Sequence, residues 1–283
     1  INRRFLYRGK HAHGPATAKW LGRNKGYLRR GSWVHAWHGL VPPKKYFKDH
    51  PEYFGLKRGK RSTHQLCTTN PETIRIAAET LMKRMKDTDL AVLPAGPNDG
   101  GGLCECLECA KLDTAGYVEP SSNKPACSTR IFKFASDLAE ITSKKFPDKD
   151  LGVLVYSEYS RVPLKLKKLH PNVFPMSAPI RHCRLHGPGN PVCPWNKLWA
   201  EEIREWSNLS DKMGFYIYNY NLADSLVPLS KISFYKRLVG EVHRLDIQQL
   251  AWVFETIDSW SQHAPHLYLS ARIGWNSHID VDA

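Results

Sequence analysis

The chain contains no run of about 18 apolar residues, the length a helix needs to cross a bilayer, so no segment reads as a membrane span. It also lacks the Gly-x-Gly-x-x-Gly fingerprint between a strand and a helix, which removes a Rossmann-type dinucleotide site. Paired Cys and His finger spacing and aromatic RNA-binding signatures are missing too, so nucleic acid is not the expected partner. The opening Ile1-Asn-Arg-Arg-Phe-Leu-Tyr-Arg8 has neither an initiator Met nor a basic, apolar and small-residue leader. It reads as part of a longer protein whose targeting lies outside this sequence. Acidic residues are scarce, 27 against 41 Lys and Arg, for a net charge of +14. The excess is spread through Arg3 to Arg30, Lys57 to Arg61, Lys83 to Lys86 and Lys165 to Lys168. Such scatter describes solvated faces and loops rather than one anion-binding stripe.

What is present suffices for a large core: 283 residues, 42% of them hydrophobic, with nine Trp. Apolar runs at Trp33–Trp37, Leu90–Ala95, Leu151–Tyr156, Val173–Ser177, Gly214–Tyr218 and Leu250–Phe254 alternate with amphipathic stretches. That order predicts parallel strands joined by helical crossovers. Asn70-Pro71-Glu72 supplies a cap, a first-turn proline and a first-turn acid for a helix through Met85. Further helices are predicted over 128–145, 196–207, 233–244 and 266–275.

Polar residues recur just beyond these strands: His35 and His38, Asn98 and Asp99, Glu158, His182, then Asn219 with Tyr220, and Glu255. In a (β/α)8 TIM-type barrel all would face the C-terminal rim, where active sites of that fold lie. The expectation is therefore an α/β protein, residues 1–283 forming one barrel that is incomplete with six strands in view. Three strand-end carboxylates are the ingredients of glycosidic bond cleavage, one donating a proton while another stabilises charge or orients a nucleophile. Glu255 follows the apolar Leu-Ala-Trp-Val-Phe and is the expected acid; Asp99 and Glu158 are the other catalytic candidates. Asn98, His38, His182 and Asn219 are expected to bind substrate, with Trp37, Tyr159, Tyr220 and Trp260 as flat platforms for sugar rings. No catalytic cofactor is needed. A carbohydrate-binding barrel without turnover is the alternative.

The segment after Asp99 is Gly100-Gly-Gly-Leu-Cys-Glu-Cys-Leu-Glu-Cys109. Three glycines in a row imply positive φ or a close backbone approach. Cys104, Cys106 and Cys109 on one loop suit a tetrahedral structural zinc with a fourth ligand from Cys67, His64 or Cys127. A disulfide from Cys67 to one of the three is the rival reading.

Four blocks carry a resemblance: His50-Pro-Glu-Tyr-Phe54, Gln65-Leu-Cys-Thr-Thr-Asn-Pro-Glu72, Asn98-Asp-Gly-Gly-Gly102 with the cysteine triplet, and Val253-Phe-Glu255. Through them the chain resembles a bacterial family of glycan-associated proteins long catalogued as a domain of unknown function. Characterised members include endo-β-N-acetylglucosaminidases, and the family is distantly similar to α-glucuronidases. The resemblance implies a hydrolase barrel in secreted or periplasmic proteins, acting on an oligosaccharide or polysaccharide. It also implies that Asp99 and Glu255 fall on the family's acidic positions, with the substrate's own acetamido oxygen as nucleophile.

Overall fold

The structure is a computed structural model. It describes residues 2–9, 31–183, 185–218, 231–245, 247, 249–256, 268–269 and 272–273, with the backbone course alone at 2–9, 231 and 254–256. The chain divides into two compact units, one of residues 30–175 and one of residues 1–29 with 176–283. Both are mixed α/β with parallel principal strands. A closed ring of eight strands is not present among the described residues.

In the unit 30–175, strand Val92–Pro94 runs parallel to Asp150–Val155, with Val92 opposite Asp150 and Pro94 opposite Gly152. Every residue of Asp150–Val155 is buried, the continuous pattern of a parallel strand covered on both faces. The helix Pro71–Lys86 forms as its cap predicts. Asn70 Oδ1 accepts from the Thr73 amide at 3.0 Å, and Ile76, Ala77, Leu81 and Met85 are buried. Lys83, Arg84 and Lys86 occupy its last turn, where the helix dipole favours cations. It packs on helix Ser128–Thr142, which buries Ile131, Phe134, Ala135 and Leu138.

Trp33–Trp37 is not the predicted strand. Only isolated parallel bridges form, Gly31 with Val92 and His35 with Gly96, before a short helix over Trp37–Leu40. The Trp33 ring crosses Gly152 so closely that an added Cβ there would lie 2.7 Å from its Cδ1. Its indole N–H donates to the Phe174 carbonyl at 2.9 Å. The periodicity marked buried indoles rather than a regular ladder. The hairpin Phe54–Lys57 with Lys60–Leu66 went unread because Lys57-Arg-Gly-Lys60 looked like a charge run. Arg58 and Gly59 both take positive φ, 48° and 74°, as a two-residue hairpin turn requires.

In the other unit, the end of strand Val173–Ser177 pairs with Lys212–Tyr218, which pairs with Gln249–Thr256, all parallel. Beside Gln249–Thr256 runs Asn2–Gly9, from Asn2 opposite Gln249 to Gly9 opposite Thr256. This basic segment was expected to be a solvated loop; Phe5-Leu-Tyr7 is strand-forming sequence that its charge disguises. Helices Pro194–Ser207 and Lys231–His243 lie where predicted. The helix predicted over 266–275 falls largely outside the described residues. No helix among the described residues is long and apolar enough to cross a membrane.

Candidate functional site

Beyond strand Val92–Pro94 the chain enters a loop that one side chain holds in place. Gln65 is fully buried. Its Nε2 donates to the carbonyls of Asn98, Gly100 and Gly101 at 2.9, 3.1 and 3.3 Å, and its Oε1 accepts from the Asn98 amide at 3.1 Å. Gly100 and Gly102 take φ of 85° and 81° while wrapping the His64 ring, and a Cβ on Gly101 would lie 3.2 Å from Glu158 Oε1. Both reasons for glycine, positive φ and close approach, therefore operate in this loop.

The loop forms one side of a cleft of about 880 Å3, open to solvent, lined by His35, His38, His64, Arg84, Asn98 and Asp99 among others. Asp99 is 73% exposed, and its Oδ1 accepts from the Gly100 amide at 2.9 Å. The same oxygen lies 3.5 Å from His35 Nε2. His35 Nδ1 is 2.7 Å from the Pro97 carbonyl, which only accepts, so Nδ1 carries a proton and neutral His35 turns its lone pair at Nε2 toward Asp99. His38 Nε2 donates to the Thr63 carbonyl at 2.8 Å, leaving Nδ1 as its acceptor when neutral. The cleft thus gathers imidazoles, a guanidinium and an accessible carboxylate, a set able to move protons and bind anionic or hydroxylated ligands.

Four predicted site residues have other duties. Asn98 is buried with its amide committed at both ends, accepting from the His38 amide at 2.9 Å and donating to the His64 carbonyl at 2.6 Å. It fixes the cleft's walls instead of grasping substrate. Trp37 is fully buried, donates to the Ala95 carbonyl at 2.9 Å and meets Phe134 edge to face, so it is core. Tyr159 is buried as well, and desolvation pushes its hydroxyl well above the ordinary tyrosine range. Glu158 is buried and bonded to Lys124 Nζ at 2.6 Å. Arg161, three residues further on in the sequence, donates to the Tyr117 hydroxyl at 3.1 Å and covers the Tyr117 ring. Sequence spacing missed Gln65, His64 and Arg84 as builders of this cleft; Gln65 stood only inside a recognised block.

In the other unit, His182 lines a small recess with Trp199, Tyr218 and Phe234, its Nε2 3.8 Å from Glu202 Oε2. Asn219, Tyr220 and Trp260 lie outside the described residues. Glu255 is placed by its backbone in strand Gln249–Thr256, opposite Tyr218 on one side and Arg8 on the other.

Behind the cleft, Cys67 at the end of the hairpin meets the cysteine triplet. The Sγ atoms of Cys67, Cys104, Cys106 and Cys109 all lie within 4.8 Å of one another. Cys67 Sγ is 3.7 Å from that of Cys106 and 3.9 Å from that of Cys109, and all four are free thiols. The disulfide reading would need about 2.0 Å. Hydrogen bonds from Cys104 and Cys67 hold the Cys109 thiol far below its usual range, while Cys104, bonded to Cys109, is pushed far above. Cys127, the other cysteine considered, is buried, and desolvation lifts it to about 12. Arg130 ties the loop to helix Ser128–Thr142, donating to the Cys104 carbonyl and, through Nε at 2.9 Å, to Asp113. A second sulfur group, Cys183, His186 and Cys193, gathers in the other unit, with buried Asn196 donating to the carbonyls of Cys183 and His186.

Parallel α/β architecture, a polar cleft past a strand end and a four-thiol cluster, three of its sulfurs on buried residues, are thus combined in one chain. Over residues 3–283 the chain matches the family described as Domain of unknown function (DUF4838), and it belongs to that family. No curated protein and no solved structure matches it.

Proposed function

We propose that the chain is the catalytic part of a glycoside hydrolase that cleaves an amino-sugar (N-acetylglucosamine) or uronic-acid glycan. The observation that carries this reading is Asp99, an exposed carboxylate beside His35 in an open cleft just past the C-terminal end of a parallel strand. The acid in this reading is Glu255, which the family resemblance puts on one of its acidic positions and which lies in strand Gln249–Thr256. Its protonated carboxyl gives its proton to the glycosidic oxygen as the C1–O bond breaks. On an N-acetylglucosaminide the substrate's own acetamido oxygen attacks C1, while Asp99 accepts from the acetamido N–H and stabilises the positive charge that develops there. Water then opens the cyclic intermediate at C1, returning a proton to Glu255. His35 pairs with the Asp99 carboxylate through Nε2 when its ring is protonated at both nitrogens, and Arg84 offers a partner for a uronate. Glu158, paired with Lys124, takes no proton in this scheme. The resemblance to secreted glycan-active proteins supports an extracellular or periplasmic setting.

The test is Glu255→Gln in the complete protein, assayed on β-linked N-acetylglucosamine and glucuronic acid oligosaccharides. Turnover is expected to fall at least ~100-fold, the usual contribution of a general acid. Hydrolysis at the parental rate would remove Glu255 from the mechanism. Glycan affinity in calorimetry without turnover by the parental protein would replace the hydrolase with a carbohydrate-binding barrel.

A further inference from the structure

We infer that Cys67, Cys104, Cys106 and Cys109 form a structural zinc centre, and that this centre sets the position of the loop bearing Asp99. The first argument is metric. A tetrahedron with Zn–S bonds of about 2.3 Å has sulfur–sulfur edges of about 3.8 Å. The Cys67 separations from Cys106 and Cys109, 3.7 and 3.9 Å, bracket that edge. They exceed thiol pairing in a disulfide by nearly a factor of two.

The second argument is the surroundings of the sulfurs. The Leu56 amide points at Cys104 Sγ at 3.3 Å, and Arg61 Nη1 reaches the same sulfur at 3.9 Å. Thr69 and Thr68 place hydroxyls 3.3 and 3.5 Å from Cys109 Sγ. Backbone N–H and guanidinium groups can only donate, and outer donors of this kind orient metal-bound sulfur. Three of the four cysteines are buried. A bound dication would hold the four sulfurs as thiolates, and Arg61 would offset part of the charge left over. Four protein ligands leave no open position, which makes the centre structural rather than hydrolytic.

The third argument is connectivity. Cys67 directly follows the strand that carries His64 and Gln65, and Gln65 holds the backbone of 98–101. Cys104 follows that loop directly and is fastened from behind by Arg130. Zinc would therefore cross-link the strand and the loop that together form the cleft wall. The inference holds whether or not the chain cleaves glycans.

The full protein, purified without chelators, should retain zinc measurable by plasma mass spectrometry. Replacement with cobalt should give the intense visible bands of a tetrahedral tetrathiolate, which the Cys183, His186 and Cys193 group cannot produce. The Cys67→Ser/Cys106→Ser double variant should lose that spectrum and one metal equivalent. Should this variant fail to fold, stripping the parental protein with chelator gives the second readout: hydrogen exchange should rise at 64–67 and 98–109 and fall again on adding zinc. A folded parental protein without zinc, a weak octahedral cobalt spectrum, bound iron in place of zinc, or a mapped disulfide from Cys67 to the triplet would each overturn the assignment.

Discussion

The thiol cluster and the cleft share one hairpin but are built on opposite terms. On the cluster side, the sulfurs sit among fixed donors and little solvent reaches them. On the cleft side, His38, His64 and Asp99 are exposed, and among the described residues Asp99 meets its own loop amide and a histidine at 3.5 Å. Saturated polar groups fix a backbone, whereas exposed, lightly held ones remain available to a ligand. The cluster should therefore answer to stability measurements and the cleft to activity measurements.

The largest effect that would sharpen this contrast is Arg130→Ala. Arg130 and Asp113 form a buried ion pair, 9% and 16% exposed, and deletion leaves the carboxylate uncompensated. A loss of about 3–5 kcal/mol in denaturant unfolding is expected, with Arg130→Met/Asp113→Leu recovering most of it. A loss below about 1 kcal/mol would show that the loop does not depend on this anchor. Next is Gln65→Leu, which keeps the volume but strips the donors from three carbonyls. About 2–3 kcal/mol should be lost, with faster amide exchange at 98–101 read by mass spectrometry. The smallest stability change belongs to Asp99→Asn, under about 0.5 kcal/mol in thermal unfolding, because the site is exposed. Its glycan turnover should nonetheless drop at least ~100-fold. A large stability loss with intact turnover would erase the distinction between the two regions.

Local chemistry was the legible part. Asn70-Pro71-Glu72 predicted a helix start that forms with its cap bond in place, and the glycine triplet announced the unusual φ values at Gly100 and Gly102. Cys67 was among the ligands named for the triplet because thiol spacing on a loop leaves few nearby options. What escaped was partner choice over long separations. Nothing in Tyr156-Ser-Glu-Tyr159 reveals that Glu158 pairs with Lys124 rather than Arg161, since both lysine and arginine satisfy a carboxylate. Trp37 and Tyr159 are amphipathic side chains equally suited to a sugar platform or a core. Burial decided between these, and burial is a property of the packed chain. The strand Asn2–Gly9 was hidden for a related reason: charge count speaks of solubility and partners, while pairing depends on the neighbour available.

The Gln65 amide has one further implication, for sequence change within this family. A single side chain of fixed reach touches the carbonyls of residues 98, 100 and 101, and thereby measures out the number of residues between them. Insertion or deletion there would break the match. Exchange of the side chains at positions 38, 64 and 84 would instead alter the cleft lining without disturbing that spacing.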